Sequence, residues 1–154
     1  MNKDYSINSE GVFKITIENP SNKTIKEILQ NAKSIAVVGL SDDPERTSYQ
    51  VSKAMQEAGY KIIPVNPKLK GEVLGEKVYA SLANIKENID IINIFRRSEF
   101  LPGIAREAVE IDAKVFWAQQ GVANQEAFEY LKEREFTVIM DMCIKVAHSV
   151  LIGK

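Results

Sequence analysis

Residues 36–55, AVVGLSDDPERTSYQVSKAM, run a short apolar stretch into a glycine and then offer serines, a threonine, an arginine and three acids as a helical period begins. Such groups could hold an anion. Gly39 permits close backbone approach, and Thr47 or Ser48 can cap a helix whose free amides and dipole favour negative charge. Ser41 and Pro44 occupy the second and third glycine positions of a dinucleotide fingerprint, and no Gly-Lys-Ser/Thr follows to make a P-loop. Taken alone, the loop reads better as a capped turn with solvated charges than as an anion site. Asp42, Asp43 and Glu45 oppose a polyanion unless they face water.

Three further stretches carry groups of the same kind. In VNPKLK, 65–70, Asn66, Pro67 and Lys68 stand where a NAD-binding chain usually places an acid. Together with Lys70 they suit a phosphorylated ribose better than a free diol, although Asn-Pro is also a common turn. In NIFRRSEF, 93–100, Arg96 and Arg97 emerge beside Phe95, and strand alternation should turn one towards a crevice and the other away. In FWAQQGVAN, 116–124, an indole, two amides and Gly121 precede Asn124, an N-cap candidate. These groups suit a long, mostly neutral ligand with amide bonds, while Trp117 reads as well as a core aromatic.

For those stretches to meet, the elements before them must end at one edge. SIAVVG 34–39, KIIPV 61–65, DIINIF 90–95, KVFW 114–117 and FTVIM 136–140 read as five buried strands. Between them, 47–59, 101–111 and 124–134 space apolar residues by three and four, as helices packed on a sheet do, and 81–88 gives a shorter one. Near-continuous apolar strands, each followed by a helix, make a parallel sheet covered on both faces with right-handed crossovers. The expected fold is a doubly wound, three-layer α/β domain with ligands at the carboxyl ends of its strands. Residues 22–32 read as a lead-in helix, and 11–17 as a candidate extra edge strand.

The chain's 154 residues fit one domain, with 1–20 as an N-terminal extension and 21–154 as the domain proper. Twenty Lys and Arg nearly cancel 21 Asp and Glu, so no overall field draws the chain to nucleic acid or an anionic membrane. The single cysteine, Cys143, excludes an internal disulfide framework, and no apolar run approaches a bilayer span. A soluble cytoplasmic protein is expected.

The residues from about Lys33 to Val150 resemble the small bacterial coenzyme A-binding proteins, whose domain is similar to that of the succinyl-CoA synthetase alpha subunit. The likeness runs through IAVVGLSDDPERTSYQVSKAMQEAGYKIIPVNP, LGEKVYASL, DIINIFRRSEFLPGIAREA, VFWAQQGVAN and VIMDMCIKVAH. It implies a Rossmann-like fold with CoA or an acyl-CoA along the carboxyl edge. The phosphates would lie near Gly39, Ser41, Arg46 and Ser48, and the adenosine end near Val65, Asn66, Pro67 and Lys68. Phe95, Arg96 and Arg97 would flank it, with Trp117, Gln119 and Gly121 nearer the pantetheine. Met142 and Ala147 depart from the family's pattern, which often has a basic residue and a glutamate there.

No catalytic constellation is evident in the sequence. On one helix, Cys143 and His148 would lie about 140° apart, and Asp141 about 10 Å from His148 along the axis. One His and one Cys cannot close a zinc site. The expected role is binding of CoA without catalysis or metal. The alternatives are an NADP-linked reductase, against which the broken glycine fingerprint counts, and a CoA-sensing module acting on a protein partner.

Overall fold

The computed structural model describes residues 5–7 and 13–153. Two short strands, β1 (Tyr5–Ile7) and β2 (Phe13–Ile15), pair antiparallel with each other. The helix α1 (Asn22–Asn31) follows, started by Ser21, whose hydroxyl accepts the Thr24 N–H. The main alternation is β3 (Ser34–Val38), α2 (Thr47–Glu57) and β4 (Lys61–Val65). A small hairpin, β5 (Glu72–Val73) and β6 (Glu76–Lys77), leads to β7 (Ile91–Ile94) and α3 (Leu101–Ala108). Then come β8 (Val115–Ala118), α4 (Gln125–Glu133), β9 (Thr137–Ile139) and α5 (Ile144–Leu151).

The five expected strands form one parallel sheet in the order β4-β3-β7-β8-β9. Alternation sorts their side chains onto two cores. Ala36, Ile63, Ile92, Phe116 and Val138 face α3 and α4, which contribute Leu101, Ile104, Phe128 and Leu131. Ile35, Val37, Ile62, Ile91, Trp117 and Ile139 face α1, α2 and α5, which contribute Ile25, Leu29, Val51, Met55 and Ile144. Every residue of β3 and β7 is buried, as a central strand between two helical layers requires. After β4 the chain passes β3 and adds β7 on its other side, so the strand order reverses between β3 and β7.

Two expectations need correction, and one element was not expected at all. The strand expected over 11–17 exists as Phe13–Ile15, with residues 11 and 12 outside the described region, but it pairs with β1 and not with the main sheet. The helix expected over 81–88 shrinks to one 3-10 turn, Leu82–Asn84, because only Leu82 gives it a buried anchor and one turn cannot offset the cost of nucleating more. The β5–β6 hairpin has no counterpart in the sequence reading. Its turn puts Leu74 (φ 56°) and Gly75 (φ 78°) in the left-handed region, where leucine is an uncommon occupant.

One residue past β9, the edge of the sheet is met by a side chain. Asn19 donates from Nδ2 to the Met140 carbonyl at 2.9 Å and accepts the Met140 N–H on Oδ1 at 2.8 Å.

Candidate functional site

The turn after β3 is built on Gly39. Its φ is +90°, its N–H donates to the Val65 carbonyl at 2.8 Å, and a Cβ added there would stand 2.5 Å from the Phe95 carbonyl oxygen. A side chain is excluded both by the torsion and by the neighbouring strand end. Beyond it, the loop is held by local polar bonds. The Ser41 hydroxyl accepts the Asp43 N–H, the Asp43 carboxylate accepts the Glu45 N–H, and the buried Ser48 hydroxyl accepts the Ser41 N–H at 3.0 Å.

Ser48 is therefore not the cap of α2, nor is Thr47. The cap position is Arg46, whose side chain makes no capping bond, so the first amides of α2 keep the free donors of an uncapped helix start. The three acids of the loop face water. Arg46 lies 3.9 Å from Asp43, with both side chains largely exposed, and stands outside the pocket described next.

Gly39, Asn66, Pro67, Lys68, Phe95, Arg96, Arg97 and Phe100 line one pocket of about 380 Å³ at the β3/β7 reversal. Three of these residues are cations and none is an acid. Among the described residues, Lys68, Arg96 and Arg97 make no ion pair. Asn66 frames the pocket with its amide: Nδ2 donates to the Leu40 carbonyl at 3.0 Å, and Oδ1 accepts the Lys68 N–H at 2.9 Å. Its side chain thus joins the loops after β3 and β4. Val65, only 3% exposed, lies beneath this frame.

The arginines depart from the expected alternation. The strand ends at Ile94, so pleating no longer governs residues 96 and 97, and both guanidiniums come to one ring, that of Phe100. The carbon of the Arg96 guanidinium sits 4.4 Å from the Phe100 ring centroid, and that of Arg97 sits 5.6 Å from it. Phe100 was not among the residues singled out from the sequence. It is an exposed aromatic in a turn, and nothing in its spacing relates it to the strand end until the 3-10 turn Ser98–Phe100 folds it back.

The remaining expected residues lie on β8 and in the loop after it, and they bond to the segment that follows β9. Trp117 is 0% exposed, and its indole N–H donates to the Met142 carbonyl at 2.9 Å, so of its two readings the core one describes it. Asn93, also missed, is buried in mid-sheet and donates to the Trp117 carbonyl at 3.1 Å. Gln119 is buried, and its Oε1 accepts the Ile144 N–H at the start of α5. The Gly121 N–H donates to the Asp141 carboxylate at 2.7 Å. Asn124 caps α4 as expected, accepting the Ala127 N–H.

Cys143 is the cap residue of α5 and His148 lies within that helix, its ring edge-on to Tyr60 at 5.7 Å. Asp141 precedes the helix with φ 58°, so the helical spacing assumed for it does not apply. Among the described residues no cluster of three His, Cys, Asp or Glu could hold a metal, and no helix is long and apolar enough to cross a membrane.

Comparisons with known proteins agree with this architecture. A protein of Bacillus subtilis (strain 168) named "Uncharacterized protein YneT" is 64% identical over 134 residues, covering 87% of this chain and 98% of that protein. The alpha subunit of an ADP-forming acetate-CoA ligase I from Pyrococcus furiosus is 38% identical over 96 residues, which cover 58% of this chain but only 20% of that subunit. A solved structure described as a hypothetical protein from Pyrococcus horikoshii OT3 superposes with a TM-score of 0.85 at 35% identity, covering 89% of this chain and 96% of that one. Another, described as cell-free ID.343 from Thermus thermophilus, gives 0.83 at 34% identity and covers 86% and 99%. The family model described as "CoA binding domain" matches residues 33–149, so the chain belongs to the CoA binding domain family.

Proposed function

We propose that this protein binds coenzyme A or an acyl-CoA along the carboxyl edge of its sheet, and that binding rather than catalysis is its role. The observation that carries the proposal is the pocket at the strand reversal: three cations without ion-pair partners beside a turn where Gly39 admits no side chain. Guanidinium and ammonium groups gathered around one cavity without acids form a local positive field, and a polyphosphorylated ligand supplies several charges to meet it at once. The pyrophosphate would lie over Gly39, Ser41 and the uncapped start of α2, and the phosphorylated adenosine end beside Lys68, Arg96 and Arg97. The pantetheine would run towards Gly121. Arg46 would reach the phosphates only by leaving Asp43, a weak exposed pairing.

The domain assigned this role is 21–154, with 1–20 as an extension. The expected ligand is a small molecule, and a cytoplasmic location follows from the supply of CoA there.

The separation of Cys143 from His148, which rests on Tyr60, supports the non-catalytic reading. An NADP-linked reductase is the competing reading, since the same cations could meet a 2′-phosphate. Thermal unfolding with CoA, NADP, NAD and ATP at equal concentration tests it. A ligand that binds only the folded state stabilises it by about 2.7 kcal/mol at a hundredfold excess over Kd. CoA should give the largest shift, and an equal or larger shift with NADP would overturn the assignment.

A further inference from the structure

Phe100 is one of three large hydrophobic side chains left exposed among the described residues, at 37%. The contacts of its ring with Arg96 and Arg97 give that exposure a purpose. Two adjacent guanidiniums repel each other and would splay into water on a bare strand end. An aromatic face attracts both, because its quadrupole presents negative charge to a cation within about 6 Å.

The turn that carries the ring is itself held by hydrogen bonds. The Phe100 N–H donates to the Arg97 carbonyl, which closes the turn. The Ser98 hydroxyl accepts the Ala123 N–H at 3.0 Å, and the Ser98 carbonyl accepts from Asn124 Nδ2, which ties the turn to the loop before α4. On the other side Leu101 is 0% exposed and anchors the start of α3. The platform is therefore fixed from both ends before any ligand arrives.

We infer that Phe100 is a positioning residue that holds Arg96 and Arg97 together as a two-guanidinium fork, making the pocket selective for a ligand that ends in a phosphate monoester. The inference rests on the CoA reading and deepens it. A monoester carries about −1.5 to −2 charge near neutrality, against −1 for each phosphate of a diester-like pyrophosphate, and its three terminal oxygens suit two forked donors. Lys68 lines the same pocket, where the 3′-phosphate of CoA would lie.

Calorimetric titration of the whole chain with CoA and with dephospho-CoA tests this, using the unaltered protein, Phe100→Leu and Phe100→Tyr. Leucine keeps apolar bulk and removes the aromatic face, and tyrosine keeps the face. The unaltered protein should prefer CoA by about tenfold. Phe100→Leu should reduce that preference by about threefold or more, at unchanged thermal midpoint and with little loss of dephospho-CoA binding. Phe100→Tyr should restore it. An unchanged preference in Phe100→Leu overturns the inference. Equal weakening of both ligands also overturns it, since the ring would then be a platform for the base. Absence of CoA binding by the unaltered protein overturns the CoA reading, and this inference with it.

Discussion

The carboxyl edge of the sheet has two halves of different character. Behind β4, β3 and β7, the loops leave cations without ion pairs and helix amides without a cap, around Gly39, Lys68, Arg96 and Arg97. Behind β8 and β9, the indole of Trp117, the amide of Gln119 and the N–H of Gly121 are each bonded within the protein. In the proposed function the first half meets an external anion. The second is a hydrogen-bonded brace that fixes α5 against the sheet, so residues of similar chemistry would serve recognition on one side and serve rigidity on the other.

Trp117→Ala should break this contrast most visibly. Removing a fully buried indole should cost about 3–5 kcal/mol of stability, while CoA affinity per folded molecule stays the same. Denaturant unfolding and titration together read the two quantities, and a selective loss of affinity would move Trp117 into the site.

Gly39→Ala should damage both quantities. The left-handed torsion alone costs about 1–3 kcal/mol, and the 2.5 Å approach to the Phe95 carbonyl must also be relieved by shifting the strand end that carries Arg96. Gly121→Ala is the matched control from the other half, since its φ is +83° but nothing lies within 4 Å of the added carbon. Comparable CoA weakening by the two alanines would erase the distinction between the halves.

Ser48→Ala sharpens it further. The Ser41 N–H loses its acceptor, at a cost of about 1 kcal/mol of stability, and CoA affinity should fall by more than the change in folded fraction explains. Unchanged affinity would mean that the phosphates do not lie over this turn.

The smallest effect belongs to the opposite end of β4, away from the ligand edge. Lys61 Nζ meets Glu87 at 2.9 Å and Glu76 at 3.6 Å, and the Tyr79 hydroxyl donates to Glu87. The Lys61 hydrogen bond holds the Glu87 carboxyl below its ordinary 4.5, so its contribution is present above that value and lost as pH falls through the folded one. Hydrogen bonding to Glu87 raises Lys61 above 10.5, so its contribution is present below that value and lost as pH rises through the folded one. The stability difference between the unaltered protein and Glu87→Gln should therefore be flat across neutral pH and shrink at both extremes, with CoA affinity unaffected. A change in affinity would connect this network to the pocket.

The sequence was most legible where burial is two-sided. The strands and α2, α3 and α4 announce themselves by continuous or helical apolar spacing, because each must meet a neighbouring layer. The site was legible at Gly39, Lys68 and the arginine pair, whose residue types have few other reasons to follow buried strands. Phe100 was hidden because its partners come to it through a turn. The bonds of Trp117 and Gln119 were hidden because donors are the same residues whether they face a ligand or a neighbouring backbone. The β5–β6 hairpin was hidden because Leu74 supplies a torsion usually left to Asn or Gly.

Asn19 has a consequence of its own. An unpaired strand margin invites another polypeptide to continue the ladder, which is how native sheets begin to aggregate. By occupying both main-chain groups of Met140, one carboxamide makes that margin a poor template just where the ladder would extend past Ile139. A fragment trimmed to the family-matched segment 33–149 would retain every pocket residue but lose this stopper together with α1, whose Ile25 and Leu29 cover one face of the sheet, so its tendency to self-associate would rise on both counts.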